Sequence, residues 1–132
     1  MELEEQTYKD WLLQLQNWAS DGDLLRAGLY ALQLKPGTST KRLKRIANRL
    51  AKGVTRDLPP IEVLPASVMR GAAGAYASST KTIYINKKWL KLANRRDVIT
   101  VLTEEYGHHL DDLFHQKDTR GDEGAYFAQL LL

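Results

Sequence analysis

The sequence predicts an α+β fold with helices at both ends of the chain and a small sheet between them. Apolar residues recur every three or four positions over the first and last thirds, which is the helical period. Strand-type residues fill two short runs within 75–86, and Leu58-Pro59-Pro60 separates this region from the N-terminal helices. At 132 residues, we expect a single domain over 1–132, with a helical N-terminal subdomain over 1–56 and a core over 57–132.

Three amphipathic helices are predicted in the N-terminal subdomain, over 3–18, about 24–34 and 41–52. Asp21-Gly22-Asp23 and Lys35-Pro36-Gly37 separate them, and Gly53 ends the third. The helical unit therefore has three apolar faces to bury.

The predicted sheet comprises a short strand over 61–64 and a hairpin with strands 75–77 and 82–86 around the turn 78–81. A helix then begins at Lys87, and after a break near Asn94 a longer one runs over about 97–115. Residues 123–132 form the predicted C-terminal helix.

Composition excludes several classes of protein. The chain is 43% hydrophobic and 27% charged, and no apolar run approaches the roughly 20 residues of a membrane span, so we expect a soluble protein without a transmembrane segment. The acidic start, Met-Glu-Leu-Glu-Glu, does not resemble a signal peptide, which leaves a cytoplasmic location or secretion by a signal-less route. Without cysteine, any transition metal must use His and carboxylate ligands.

The basic charge is confined to one segment. Residues 36–58 hold seven basic residues and one acidic residue, hence +6, most of them in the helix 41–52. A basic amphipathic helix can bind nucleic acid or an anionic membrane, and this is an alternative function. No recognised nucleic-acid motif accompanies the helix, so the nucleic-acid signal is not strong.

The helix 97–115 carries the residues with chemical potential. Its ionisable side contains Glu104, His108, Asp111 and His115, opposite an apolar side. The four-residue spacing of Glu104 and His108 puts their Cβ atoms roughly 5–6 Å apart, so both can reach one metal ion, although a solvated pair has the same spacing. Glu105 is predicted on the rim of that site, where a general base acts on water.

Neighbouring residues have less specific roles. His109 is predicted at the boundary of the apolar side, beside the site and not as a ligand. Asp111 or Asp112 can be a third ligand or can orient His108, and the spacing permits either role. His115 is expected to be solvated and stabilised by the helix dipole.

Thr103-Glu104-Glu105-Tyr106-Gly107-His108 resembles the His-Glu-x-Gly-His helix of zincin metallopeptidases, with Glu104 in place of the first His. Residues 121–128 are similar to the helix that supplies a Glu ligand in gluzincin-type families. The resemblance implies a zincin-like fold and a zinc-dependent peptidase with ligands Glu104, His108 and Glu123, and with Glu105 as general base. It also implies a peptide or protein substrate held along the hairpin's edge strand.

A closer resemblance covers 58–132, where the same motifs look like a domain of large cyanobacterial secreted, calcium-binding repeat proteins. That family also has Glu-Glu before x-Gly-His. A carboxylate at Glu104 neutralises more of the ion's charge than His does, which implies slower hydrolysis or a preference for Mn²⁺ or Ca²⁺. The alternative is a catalytically degenerate zincin fold that serves as a binding or structural module, with further domains expected C-terminal to the helical pattern that ends at Leu132.

Overall fold

A computed structural model of the protein describes residues 3–115 and 123–132, and only the backbone of Glu123. Within these residues the fold combines helices with a three-stranded sheet, which confirms the α+β prediction. The helices are α1 (Glu5–Asp21), α2 (Asp23–Ala31), α3 (Thr38–Ala51), α4 (Ala66–Met69), α5 (Lys87–Leu92), α6 (Arg95–Phe114) and α7 (Glu123–Leu131), and the strands are β1 (Ile61–Leu64), β2 (Gly74–Ala77) and β3 (Thr82–Asn86).

The N-terminal helices pack against α6 through one buried cluster that includes residues from α1, α2, α3, the sheet, α6 and α7. Trp11 of α1 is fully buried, and its indole N–H donates to the hydroxyl of Thr103 on α6 across 3.2 Å. Thr103 in turn donates to the carbonyl of Ile99, 2.7 Å away. A buried indole N–H needs such a partner, so this contact specifies how α1 lies on α6.

The three strands are ordered β1–β3–β2. β2 and β3 are antiparallel, as the hairpin prediction requires, and β3 buries Ile83 and Ile85 at the centre of the sheet. β1 is parallel to β3, and the chain crosses between them through α4 and β2. Among the described residues β1 and β2 are the edge strands, and no strand pairs with the outer edge of either.

The break before α6 follows from side-chain capping. The Asn86 carboxamide accepts from the backbone N–H groups of Lys88 and Trp89 and starts α5 directly after β3. The carboxamide of Asn94 accepts from the N–H of Asp97 across 2.8 Å and starts α6. In the described part of the chain, no helix combines the length and apolarity needed to cross a membrane.

Helices α6 and α7 cross at two glycines. A Cβ atom built on Gly107 would lie 2.8 Å from the Cα of Gly124 and 2.9 Å from its carbonyl oxygen, closer than real contacts allow. The interior helical glycine, which costs about 1 kcal/mol relative to Ala, is thus explained by the close approach of another backbone.

Gly107→Ala is therefore expected to lower the free energy of unfolding by about 1–3 kcal/mol, because the new methyl group meets backbone that cannot rotate away. Gly28→Ala is the matched control: its Cβ would be 2.7 Å from Cδ2 of Leu43, the end of a flexible side chain. Urea unfolding should show a clearly smaller loss for Gly28→Ala. Equal losses would mean that the crossing of α6 and α7 is not as close as described.

Candidate metal centre

Three acidic or imidazole side chains converge on α6. One ligand atom from each of Glu104, Glu105 and His108 lies within 4.8 Å of the others. Glu104 and His108 are partly exposed, whereas Glu105 is buried, so the cluster is open to solvent on one side. Carboxylate oxygen and imidazole nitrogen are ligands for zinc and for other divalent ions. The cluster could hold a metal ion.

The position of His108 depends on Gly124. A Cβ atom built on Gly124 would lie 2.7 Å from Cγ, Cδ2 and Nδ1 of the His108 ring, so the α7 backbone is in contact with the imidazole. Glu123 is the residue before Gly124 and the first residue of α7. Its side chain is outside the described residues, and its ligation of an ion stays a prediction.

Glu105 belongs to the cluster and lies beneath β2. The sequence placed it on the rim of the site, and its burial was not expected. Its exposed fraction is 7%, and a Cβ atom built on Gly74 of β2 would be 3.5 Å from its Oε2. Burial, together with the charge of Glu104, raises the pKa of Glu105 to about 7. A carboxyl group with a near-neutral pKa can exchange a proton at physiological pH.

His109 faces the hairpin and is also buried, at 7% exposure. Its Nδ1 is 2.8 Å from the hydroxyl of Tyr76, which donates its single hydrogen to Asp112, 3.0 Å away. His109 must therefore donate Nδ1–H to the Tyr76 oxygen. Burial lowers the pKa of His109 to about 4, so the ring is neutral at pH 7. The predicted role of His109 beside the metal site stays a prediction.

Asp112 completes a chain of contacts from α6 to the hairpin turn. It accepts from Tyr76 and pairs with Lys81, whose ammonium group lies just beyond β2. Burial and the hydrogen bond to Asp112 raise the pKa of Tyr76 and keep its hydroxyl protonated. Tyr76 was not among the residues predicted for the site. The signal that the sequence offered was its spacing of two from Gly74, which puts both residues on one face of β2.

Asp111 lies in the last turn of α6, and His115 is the C-cap of the same helix. The Nε2–H of His115 donates to the carbonyl oxygen of Leu32, 2.8 Å away, and lies 3.8 Å from Oδ1 of Asp111. His115 is partly buried against the end of α2, so the expectation of a solvated side chain is wrong. Among the described residues the candidate metal cluster does not include His109, Asp111, Asp112 or His115.

The pKa values of Glu105 and His109 predict opposing effects of pH on the metal-free protein. Burial raises the pKa of Glu105, so its contribution to the free energy of unfolding is full below its ordinary pKa of 4.5 and is lost as pH rises through about 7. Burial lowers the pKa of His109, so its contribution to the free energy of unfolding is full above its ordinary pKa of 6.5 and is lost as pH falls towards about 4. For each residue, the difference between its pKa in the folded protein and its ordinary pKa corresponds to about 3 kcal/mol of free energy of unfolding. Between pH 4.5 and 6.5 the two contributions change in opposite directions.

In the Glu105→Gln variant only the His109 effect remains. On acidification from pH 7 to 4.5, this variant should lose about 3 kcal/mol more of its free energy of unfolding than the unmodified protein loses. Urea unfolding in the presence of a chelator measures both curves, and the other carboxylates contribute equally to each. Parallel curves would contradict the burial of Glu105.

The fold and the site define an α+β protein whose longest described helix carries a Glu-Glu-His cluster beside an edge strand. In comparisons with known proteins, no family model, curated protein or solved structure matches the chain. The resemblance to zincins therefore depends on its sequence motifs alone.

Proposed function

We propose that this chain is a zinc-dependent, metallopeptidase-like domain that hydrolyses peptide bonds, with Glu105 as the general base. The observation that carries the proposal is the juxtaposition of the Glu104, Glu105 and His108 cluster with the open strand β2. Gly74 connects the two, since its Cα carries no side chain where β2 passes over Glu105.

The side chains fit a divalent ion. Glu104 and His108 hold it in this proposal, and Glu123 is the third ligand because it precedes Gly124, whose backbone contacts the imidazole. A bound zinc ion supplies a Lewis acid that lowers the pKa of water and polarises a carbonyl group. The two carboxylates neutralise more of its charge than a two-histidine site does, so slow hydrolysis is expected, and Mn²⁺ or Ca²⁺ also suits the oxygen-rich set.

Glu105 moves the proton. With a pKa of about 7 it is partly ionised at neutral pH, so it can accept a proton from the attacking water and return it to the leaving amine. Its burial beneath β2 limits competing hydrogen bonds from solvent.

The substrate is an extended peptide. The outer edge of β2 presents backbone N–H and C=O groups, and an added strand would pair with them without regard to most side chains. A peptide bound along Gly74 would pass the position where β2 covers Glu105.

The second candidate is a module that binds a metal ion without catalysis. It is favoured by the same 4.8 Å cluster, because Glu105 can itself complete a set of three ligands with Glu104 and His108. Glu105 would then no longer be a free base. The ion would stabilise the crossing of α6 and α7 in a binding or structural part of a larger secreted protein.

The first experiment is metal analysis of protein that has been treated with a chelator and reconstituted with zinc, followed by a cleavage assay on quenched fluorescent peptides. One zinc ion per chain with zinc-dependent cleavage supports the peptidase. One zinc ion without cleavage of any peptide supports the second candidate. Failure to bind zinc, Mn²⁺ or Ca²⁺ at saturating concentration would exclude both.

A further inference from the structure

A polar groove lies at the far end of the hairpin from Glu105. Its volume is about 410 Å³, and it is an open surface groove lined by residues of α3, the hairpin turn and the end of α6. The lining residues are Arg42, Ser78, Ser79, Lys81, Asp112 and Leu113.

The groove has a net positive charge, since it holds two cations and one carboxylate. Asp112 is committed to its neighbours: it accepts from Tyr76 and pairs with Lys81, and only 17% of its side chain is exposed. Its carboxylate thus neutralises Lys81 and leaves the charge of Arg42 uncompensated.

Arg42 is oriented by two contacts and keeps N–H donors for a ligand. One guanidinium nitrogen donates to the carbonyl oxygen of Leu113 across 3.0 Å, and the guanidinium carbon lies 5.2 Å from the centre of the Phe114 ring. No carboxylate of the described residues forms an ion pair with it. A guanidinium has five N–H donors, so an incoming carboxylate can still be bound by two of them.

The groove lies in line with the proposed peptide path. Ser78 directly follows β2 and is four residues beyond Gly74, which lies over Glu105. At about 3.3 Å per residue, the groove begins about 13 Å along the strand. A peptide that pairs with the edge of β2 reaches it with a side chain about four residues from the bond that passes Glu105.

We propose that this groove is a specificity site for an acidic residue of the peptide, whose carboxylate is bound by Arg42 with the Ser78 and Ser79 hydroxyl groups beside it. The proposal rests on the proposed peptide path along β2. The substrate class is therefore an extended peptide with Asp or Glu about four residues from the cleaved bond.

Peptide binding to the metal-free protein tests this site independently of catalysis. The probes are fluorescein-labelled nonapeptides of Ala and Thr in which a single Glu is moved along the sequence, each with a Gln counterpart. Fluorescence anisotropy should show about tenfold tighter binding for Glu than for Gln at one preferred position, with the difference reduced at high salt.

Arg42→Ala should abolish the preference for Glu, whereas Arg45→Ala should retain it. Arg45 is the matched control because it is an exposed arginine of the same helix that does not line the groove. Ser79→Asp, in an exposed turn, adds a like charge to the groove and should also remove the preference. Circular dichroism melting confirms that each variant is folded.

Equal binding of Glu and Gln peptides at every position would overturn the proposal, and so would equal losses in Arg42→Ala and Arg45→Ala, which would indicate general attraction to the basic helix. Failure of the proposed function is a different result: the Glu preference and its dependence on Arg42 persist, but reconstituted protein cleaves none of these peptides.

Discussion

Glu105→Gln is expected to abolish peptide cleavage while one zinc ion per chain remains bound. Loss of a general base lowers the rate by about 10²–10⁴-fold, and Gln has the size of Glu without its proton affinity. Glu105 is buried beneath Gly74, whereas Glu104 and His108 of the same cluster are partly exposed, and this difference favours the role of base for Glu105 and of ligand for the other two. Cleavage of a quenched fluorescent peptide and zinc content should be measured on the same preparation.

Glu104→Gln is the matched control, because it makes the same chemical change one residue away. As a ligand substitution, it should lower zinc content as well as cleavage. If Glu105→Gln loses zinc to the same extent, Glu105 is a ligand, and the non-catalytic module is the better account. If Glu105→Gln retains full activity, the assignment of the general base is wrong.

His108→Ala is expected to weaken zinc binding at least about 100-fold, since it removes the imidazole from the three-residue cluster. Gly124→Ala should weaken binding about 10–100-fold without altering a ligand, because its methyl group would occupy space 2.7 Å from the His108 ring. Competition with a chromophoric chelator measures both affinities.

His115→Ala is the control for this series. His115 is the C-cap of the same helix but donates to Leu32, so its removal should leave zinc affinity within about twofold. A loss in His115→Ala as large as in His108→Ala would place the ion elsewhere on α6. Unchanged zinc affinity in His108→Ala would show that the His108 imidazole is not a ligand.

The local parts of this structure were predictable from sequence. Period-3.6 patterns identified α1, α3 and α6, and the alternation around residues 78–81 identified the β2–β3 hairpin. The proximity of Glu104 and His108 was predictable for the same reason, since four residues along a helix make one turn.

Contacts between distant segments were not predictable in this way. The parallel pairing of β1 with β3 joins residues over 20 positions apart, such as Ile61 and Ile83, and no local pattern encodes it. Helix periodicity placed Glu105 on the rim of the site. Periodicity carries no information about β2, the strand that covers Glu105. The bonds from Tyr76 to His109 and Asp112 likewise depend on where the sheet meets α6.

Gly107 combines a feature that is predictable from sequence with one that depends on tertiary packing. A helical glycine indicates that something approaches closely, and the sequence supports that inference. The identity of the approaching group, the backbone of Gly124 with the start of α7, follows only from tertiary packing. That packing also sets the position of His108.

Anomalous diffraction at the zinc edge from zinc-soaked crystals would show whether the Glu104, Glu105 and His108 cluster binds a divalent metal ion. We expect a single strong peak within about 2.0–2.2 Å of a Glu104 carboxylate oxygen and a His108 ring nitrogen. An empty cluster at saturating zinc, in crystals where these side chains are ordered and accessible, would contradict it.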